Sequence, residues 1–139
     1  MTPMTAFRHR FPVNWVDTDA LSVVHFSNYF RYFEKTEEAF YASTAMDHRG
    51  ISEKHSIAFP RVDVRCAYEF PCRFGDEVEV SLKLSELKDK AVSLNFEVMN
   101  VTGGKVAAKG SVTLVCVDTT RWKAVSIPSE LREVYERLS

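Results

Sequence analysis

Apolar residues recur along this chain with two periods, and the change from one to the other divides it. Phe7, His9, Phe11, Val13 and Trp15 fall on alternate positions, which predicts an opening strand. From about Phe26 the step lengthens. Phe26, Tyr29, Phe30, Phe33, Glu37, Phe40 and Tyr41 stand three and four apart, one broad face of a helix running to about Thr44. Ser27 or Asn28 is placed to cap its first turn. Asp47-His-Arg-Gly50 reads as the end of a helix and a loop, with Gly50 suited to a C-terminal cap. Beyond it the period returns to two. Val62, Val64, Cys66, Tyr68 and Phe70 alternate between Pro60 and Pro71, and Val78, Val80, Leu82 and Leu84 alternate next. Lys88-Asp-Lys90 makes a turn before Val92, Leu94, Phe96 and Val98, and Asn100-Val-Thr-Gly-Gly104 makes another. A longer apolar strand spans Val106 to Val117, with Gly110 expected to mark a bulge. Pro128 opens a final short helix over Ser129 to Leu138.

The predicted order is strand, helix, four strands joined by tight turns, and a short helix. Consecutive hairpins imply an antiparallel sheet, and the class is α+β. The one long helix carries bulky aromatics on its buried face, so the sheet must curl around it. An open sheet of this kind exposes its edge strands. Pairing across a two-fold axis removes that liability, so a homodimer is the expectation. No repeat, low-complexity tract or linker interrupts the 139 residues, which are expected to form one domain over 1–139.

Composition narrows the partners. A hydrophobic fraction of 45% and a charged fraction of 27% are ordinary for a globular chain. A formal net charge of −1 provides no global field, so neither nucleic acid nor a membrane surface is expected as a partner. Cys66, Cys72 and Cys116 are odd in number and lack metal-type spacing, which argues for free thiols in a reducing compartment. Met1-Thr-Pro-Met-Thr-Ala-Phe-Arg-His-Arg10 lacks the apolar run of a signal peptide, and no stretch approaches the ~18 apolar residues of a spanning helix. A cytoplasmic location is expected. No metal site or resident cofactor is expected.

The chemistry concentrates at Trp15-Val-Asp-Thr-Asp-Ala-Leu-Ser-Val-Val-His-Phe-Ser-Asn-Tyr29. Two carboxylates, Asp17 and Asp19, precede a polar turn and then the long helix. Free backbone N–H groups and the positive end of a helix dipole gather at such a helix start. A carboxylate beside them can serve attack on a carbonyl carbon while the N–H groups hold the oxyanion; losing one such donor typically costs ~10²–10³ in rate. Acyl transfer is the reaction class this arrangement suggests.

Asp17-Thr-Asp-Ala-Leu-Ser-Val-Val-His-Phe-Ser-Asn-Tyr29, followed by Phe30-Arg-Tyr-Phe-Glu34, resembles the signature of the 4-hydroxybenzoyl-CoA thioesterase family. The likeness extends over nearly the whole chain, including Pro71-Cys-Arg-Phe-Gly-Asp76. It implies the hotdog fold, a sheet of five to six antiparallel strands wrapped around one long central helix, in dimers or tetramers. It implies hydrolysis of an acyl-CoA or acyl-carrier-protein thioester, coenzyme A being part of the substrate. Carried over position by position, the catalytic carboxylate falls on Asp19 and the carbonyl-polarising backbone N–H on Phe26. Two departures stand out. The family usually has glycine where this chain has Ser22. Many relatives carry histidine where this chain has Phe26, so that histidine's role does not transfer directly to His25.

Each remaining candidate has two readings. Asp19 could be a general base on water or a nucleophile forming a mixed anhydride; Asp is also a common turn residue. Asp17 reads as structural, holding the loop through backbone N–H groups, with a second catalytic carboxylate as the alternative. His25 could orient substrate or be satisfied by loop backbone. Asn28 could hold Asp19 or water, or cap the helix. Tyr29, Phe30, Phe33 and Phe40 read as core, with one or two available to wall an acyl pocket. Arg61, Arg65, Arg73, Arg121 and Lys123 are candidates for coenzyme A phosphates by residue type. Two other function classes compete: a hydratase or dehydratase of the same fold using Asp19 with His25, and an acyl-CoA-binding protein without turnover. There is no Gly-x-Ser-x-Gly elbow, P-loop, Rossmann glycine pattern or His/Cys metal spacing.

Overall fold

A computed structural model describes residues 6–44 and 47–139; residues 1–5, part of the N-terminal stretch read above as no signal peptide, lie outside it. In chain order the elements are β1 (Phe7–Pro12), α1 (Asn28–Ser43), α2 (His48–His55), β2 (Ile57–Ala58), β3 (Arg61–Tyr68), β4 (Glu77–Leu87) and β5 (Ala91–Asn100). β6 (Lys105–Val115), β7 (Val117–Asp118), β8 (Lys123–Ala124) and α3 (Ser129–Glu136) follow. Five strands form one antiparallel sheet in the order β1-β4-β5-β6-β3, and β2-β7-β8 form a second, small one. No helix among the described residues is long and apolar enough to cross a membrane.

The period-two residues of β4, β5 and β6 face α1 and are sealed from solvent: Val78, Val80, Leu82, Val92, Leu94, Val98 and Leu114 are all buried. α1 lies across this face. Its Phe33 stacks flat on Phe96 with centroids 4.5 Å apart, Tyr32 meets Phe11 edge-on at 5.0 Å, and Phe40 meets Phe7 at 5.5 Å. The helix is therefore held by large aromatic areas rather than by propensity; burying one such ring contributes on the order of 1.5–3 kcal/mol.

Four expectations need correction. Phe26 precedes α1 and its ring is exposed, because the helix begins only at Asn28; Tyr32 and Thr36 occupy the buried face instead. Gly50 does not cap a helix end. Asp47 caps the N-terminus of α2, and its Oδ1 accepts the Gly50 N–H at 2.9 Å within the first turn. Gly110 marks no bulge: it pairs in register with both Cys66 and Phe96. A Cβ there would lie 2.5 Å from the Phe33 ring and from the Arg65 carbonyl, so glycine allows the close approach of helix and strands. The long last strand breaks after Val115, and Val117 joins the small sheet.

The alternation in β3 is real but does not mark a buried face in the single chain. β3 is the sheet edge, and Val62, Val64 and Tyr68 remain 60%, 47% and 47% exposed.

Candidate active site

Between β1 and α1 the chain makes one 3-10 turn at Trp15–Asp17 and then doubles back. Thr18 bridges Val24, the Asp19 N–H donates to the Val23 carbonyl at 2.9 Å, and the Ser22 N–H donates to the Asp19 carbonyl at 2.9 Å. Ser22 closes this hairpin with φ at 64°, the left-handed region that glycine occupies freely. The departure from glycine therefore leaves the turn intact and adds local strain.

Asp17 anchors the hairpin to the helix. Its Oδ2 accepts the Asn14 N–H and the Tyr32 hydroxyl, each at 2.9 Å, and its carbonyl accepts the His25 N–H at 2.9 Å and Asn28 Nδ2 at 2.8 Å. Burial, and then the Asp17 carboxylate, push the Tyr32 phenol far above its ordinary range, so it stays a donor. Asn28 thus supports the loop through its side chain rather than touching Asp19. Tyr32 was missed in the sequence because its partner lies across the loop, a relation that helical periodicity does not carry.

Asp19 divides its two oxygens. Oδ1 accepts the Leu21 N–H at 2.8 Å, the turn role expected of an aspartate there. Oδ2 accepts no hydrogen bond from the described residues. The carboxylate lines a cavity of about 420 Å³ with Leu21, Val23, Phe26, Tyr29, Tyr68, Phe70 and Pro71. Phe26 lines the same cavity, and its N–H, just before the first turn of α1, donates to no described residue. Burial and the adjacent Cys72 thiol raise the Tyr29 phenol well above its ordinary value, keeping it protonated.

The other candidates lie apart. His25 turns its ring to Ser27: Nδ1 is 2.8 Å from Ser27 Oγ and accepts the Ser27 N–H at 3.2 Å, and the imidazole stacks on Phe26 at 4.4 Å. It is not among the residues that line the cavity with Asp19. Arg61 grips the buried Glu37 with two N–H donors at 2.9 and 3.1 Å. Arg65 pairs with Asp63 at 3.0 Å, and Arg121 lies 3.8 Å from Asp118. Arg73 sits in the turn closed by its N–H to Asp76 Oδ2, and its side chain does not line the cavity. Lys123 belongs to β8. A larger hollow of about 570 Å³ lies on the outer sheet face, near Arg65, Lys83 and Lys109. It contains neither candidate carboxylate nor the helix start, so size alone does not locate the chemistry.

A sheet curled round one aromatic helix, with a carboxylate hairpin at the helix start, defines the hotdog thioesterase class. The model of the thioesterase-like superfamily matches residues 13–135. The chain is 30% identical over 119 residues to the long-chain acyl-CoA thioesterase FadM of Escherichia coli K12, covering 85% of this chain and 90% of that protein. The crystal structure of the AQ1494 protein of Aquifex aeolicus superposes with a TM-score of 0.83 at 31% identity, covering 93% and 98% of the two chains. The 1,4-dihydroxy-2-naphthoyl-CoA thioesterase Slr0204 of Synechocystis shares the fold at a TM-score of 0.87 and 19% identity, over 94% and 96% of the chains. This protein belongs to the thioesterase-like superfamily and is a thioester hydrolase.

Proposed function

We propose that the protein hydrolyses acyl-CoA thioesters at the junction of the Asp19 hairpin and α1, with the Asp19 carboxylate as base or nucleophile and the Phe26 N–H as the oxyanion contact. One observation carries this reading: Asp19 and Phe26 line one largely apolar cavity, and neither Asp19 Oδ2 nor the Phe26 N–H has a hydrogen-bond partner among the described residues. The acyl-CoA thioesterase FadM supports coenzyme A as the carrier.

The chemistry closes with these groups alone. As a base, Asp19 removes a proton from water while the oxygen adds to the thioester carbon; the oxyanion forms opposite the Phe26 N–H. Collapse breaks the carbon–sulfur bond, and the proton on Asp19 passes to the departing thiolate. As a nucleophile, Asp19 forms an anhydride, the thiolate leaves, and water then splits the anhydride. Thiolates are good leaving groups, so no separate acid is needed. Leu21, Val23, Phe70 and the Tyr29 ring provide walls for the acyl group.

The decisive assay is thiol release with a chromogenic reagent across aromatic, short, medium and long acyl-CoA. Asp19→Asn is expected to lower kcat by on the order of 10³-fold or more while leaving the melting temperature within a few degrees. Full activity in the variant would exclude Asp19. Loss of an enoyl-CoA absorbance without thiol release would favour the hydratase reading, and saturable binding without either would favour a binding protein.

A further inference from the structure

We infer that Tyr68, on the edge strand β3, is a positioning residue: its hydroxyl holds the Phe26 peptide so that the Phe26 N–H stays aimed at the carbonyl oxygen of a bound thioester. The inference rests on the hydrolytic reading above. Phe26 stands before the N-cap residue Ser27, so the helix ladder offers its carbonyl no donor. Phe26 is 63% exposed, and among the described residues its ring stacks on His25 alone, so packing does not fix the residue either. The anchors are hydrogen bonds on either side of it. The Asn28 N–H donates to the His25 carbonyl at 2.9 Å, and the Ser27 N–H donates to His25 Nδ1 at 3.2 Å. The third comes from across the molecule: Tyr68 Oη donates to the Phe26 carbonyl at 2.8 Å.

With the peptide before Phe26 held through the His25 carbonyl and the peptide after it held by Tyr68, rotation about both bonds of the Phe26 backbone is restrained. The direction of its N–H follows. Tyr68 is itself held, since its ring meets the buried Tyr29 edge-on at 5.1 Å. Its phenol titrates at about 12, raised first by burial and then by the neighbouring Cys66 thiol, so the donor is present throughout the neutral range. The hydroxyl sits on the peptide that follows the uncommitted Phe26 N–H, where it restrains the bond joining that residue to Ser27. An oxyanion donor acts through its fixed geometry, so loosening it acts on the transition state more than on ground-state binding.

Tyr68→Phe keeps the ring contact with Tyr29 and deletes the donor. Relative to wild type, kcat is expected to fall roughly tenfold with KM within about twofold, less than the loss from removing an oxyanion donor outright. Replacement of Tyr68 by 4-aminophenylalanine, which restores a donor at that position, should recover most of the rate. A substrate ketone with methylene in place of sulfur and a ¹³C carbonyl should show its bound carbonyl stretch shifted to higher frequency in Tyr68→Phe. Independently of turnover, the Phe26 amide in ¹⁵N-phenylalanine-labelled protein should show a lower heteronuclear NOE in that variant. Wild-type thiol release that survives Tyr68→Phe unchanged, with an unaltered carbonyl stretch, overturns the positioning role and leaves the hydrolytic reading standing. A rate loss matched by an equal fall in melting temperature and no 4-aminophenylalanine rescue also overturns it. No thiol release by wild type, even with the Phe26 amide loosened by Tyr68→Phe, overturns the hydrolytic reading and this role together.

Discussion

At the scale of single residues, the site depends on atoms doing different work within one side chain. Asp19 gives Oδ1 to the turn, and Oδ2, which accepts no hydrogen bond from the described residues, is the oxygen the proposed chemistry uses. The structural and catalytic readings of that aspartate are therefore compatible, and the turn bond orients the carboxylate. Ser22 holds the turn at a backbone angle unfavourable for a side chain. Releasing that strain is worth about 1–2 kcal/mol, against about 0.5–1 kcal/mol of extra chain entropy for glycine. Ser22→Gly should thus gain about 0.5–1 kcal/mol, a melting-temperature rise of roughly 2–4 °C by calorimetry, with thiol release little changed. A fall in melting temperature would show that the Ser22 side chain contributes contacts that outweigh the strain. Asp17, Asp19 and the helix start were legible in the sequence because loop and helix are adjacent along the chain. Tyr32 and Tyr68 were not, since each reaches its partner across the fold.

Among the elements, α1 carries a polar network on its packed side. Glu37, buried, accepts from Arg61 and from the Tyr41 hydroxyl at 2.5 Å; Tyr41 and Tyr135 hydroxyls lie 3.0 Å apart, and His48 Nε2 is 3.2 Å from Tyr135 Oη. The period placed Glu37 and Tyr41 on one face of the helix but showed none of the partners from α2, α3 and β3. Burial is the largest influence on His48 and lowers its pKa; Arg61 also lowers it, while Glu37 and Asp47 oppose the shift. Tyr41 stacks on the ring at 4.2 Å and Phe59 tilts against it at 5.5 Å. Because the folded state disfavours protonated His48, the unfolded chain binds more protons just below the ordinary histidine value of about 6.5. Stability from this group is present above that pH and is lost as pH falls toward the lower folded pKa. Melting temperatures between pH 7.5 and 5 should therefore decline less in His48→Gln than in wild type. Parallel declines would remove His48 as the cause.

For the whole molecule, the open question of the sheet edge becomes a physical one. β3 ends the five-stranded sheet with unpaired backbone groups and with Val62 and Val64 exposed, which supports the homodimer expected from the topology and extends it to this particular strand. Light scattering on the eluting protein should give twice the chain mass, and Val64→Asp should shift it toward the monomer; a monomeric wild type would refute the assignment. The central helix, the three inner strands and their turns were readable from the sequence, because burial on one face imposes a period that neighbouring residues reveal. So was a polar turn with two carboxylates ahead of a helix, since its parts are consecutive; that the turn is a hairpin was not. The tertiary structure alone decided that Phe26 stands outside the helix, that Gly110 yields to Phe33, that β3 lies at the edge, and that Tyr68 reaches the Phe26 carbonyl. Each of these depends on which distant segments meet. Local periodicity records how a segment faces the core, and it carries no record of what waits on the other side.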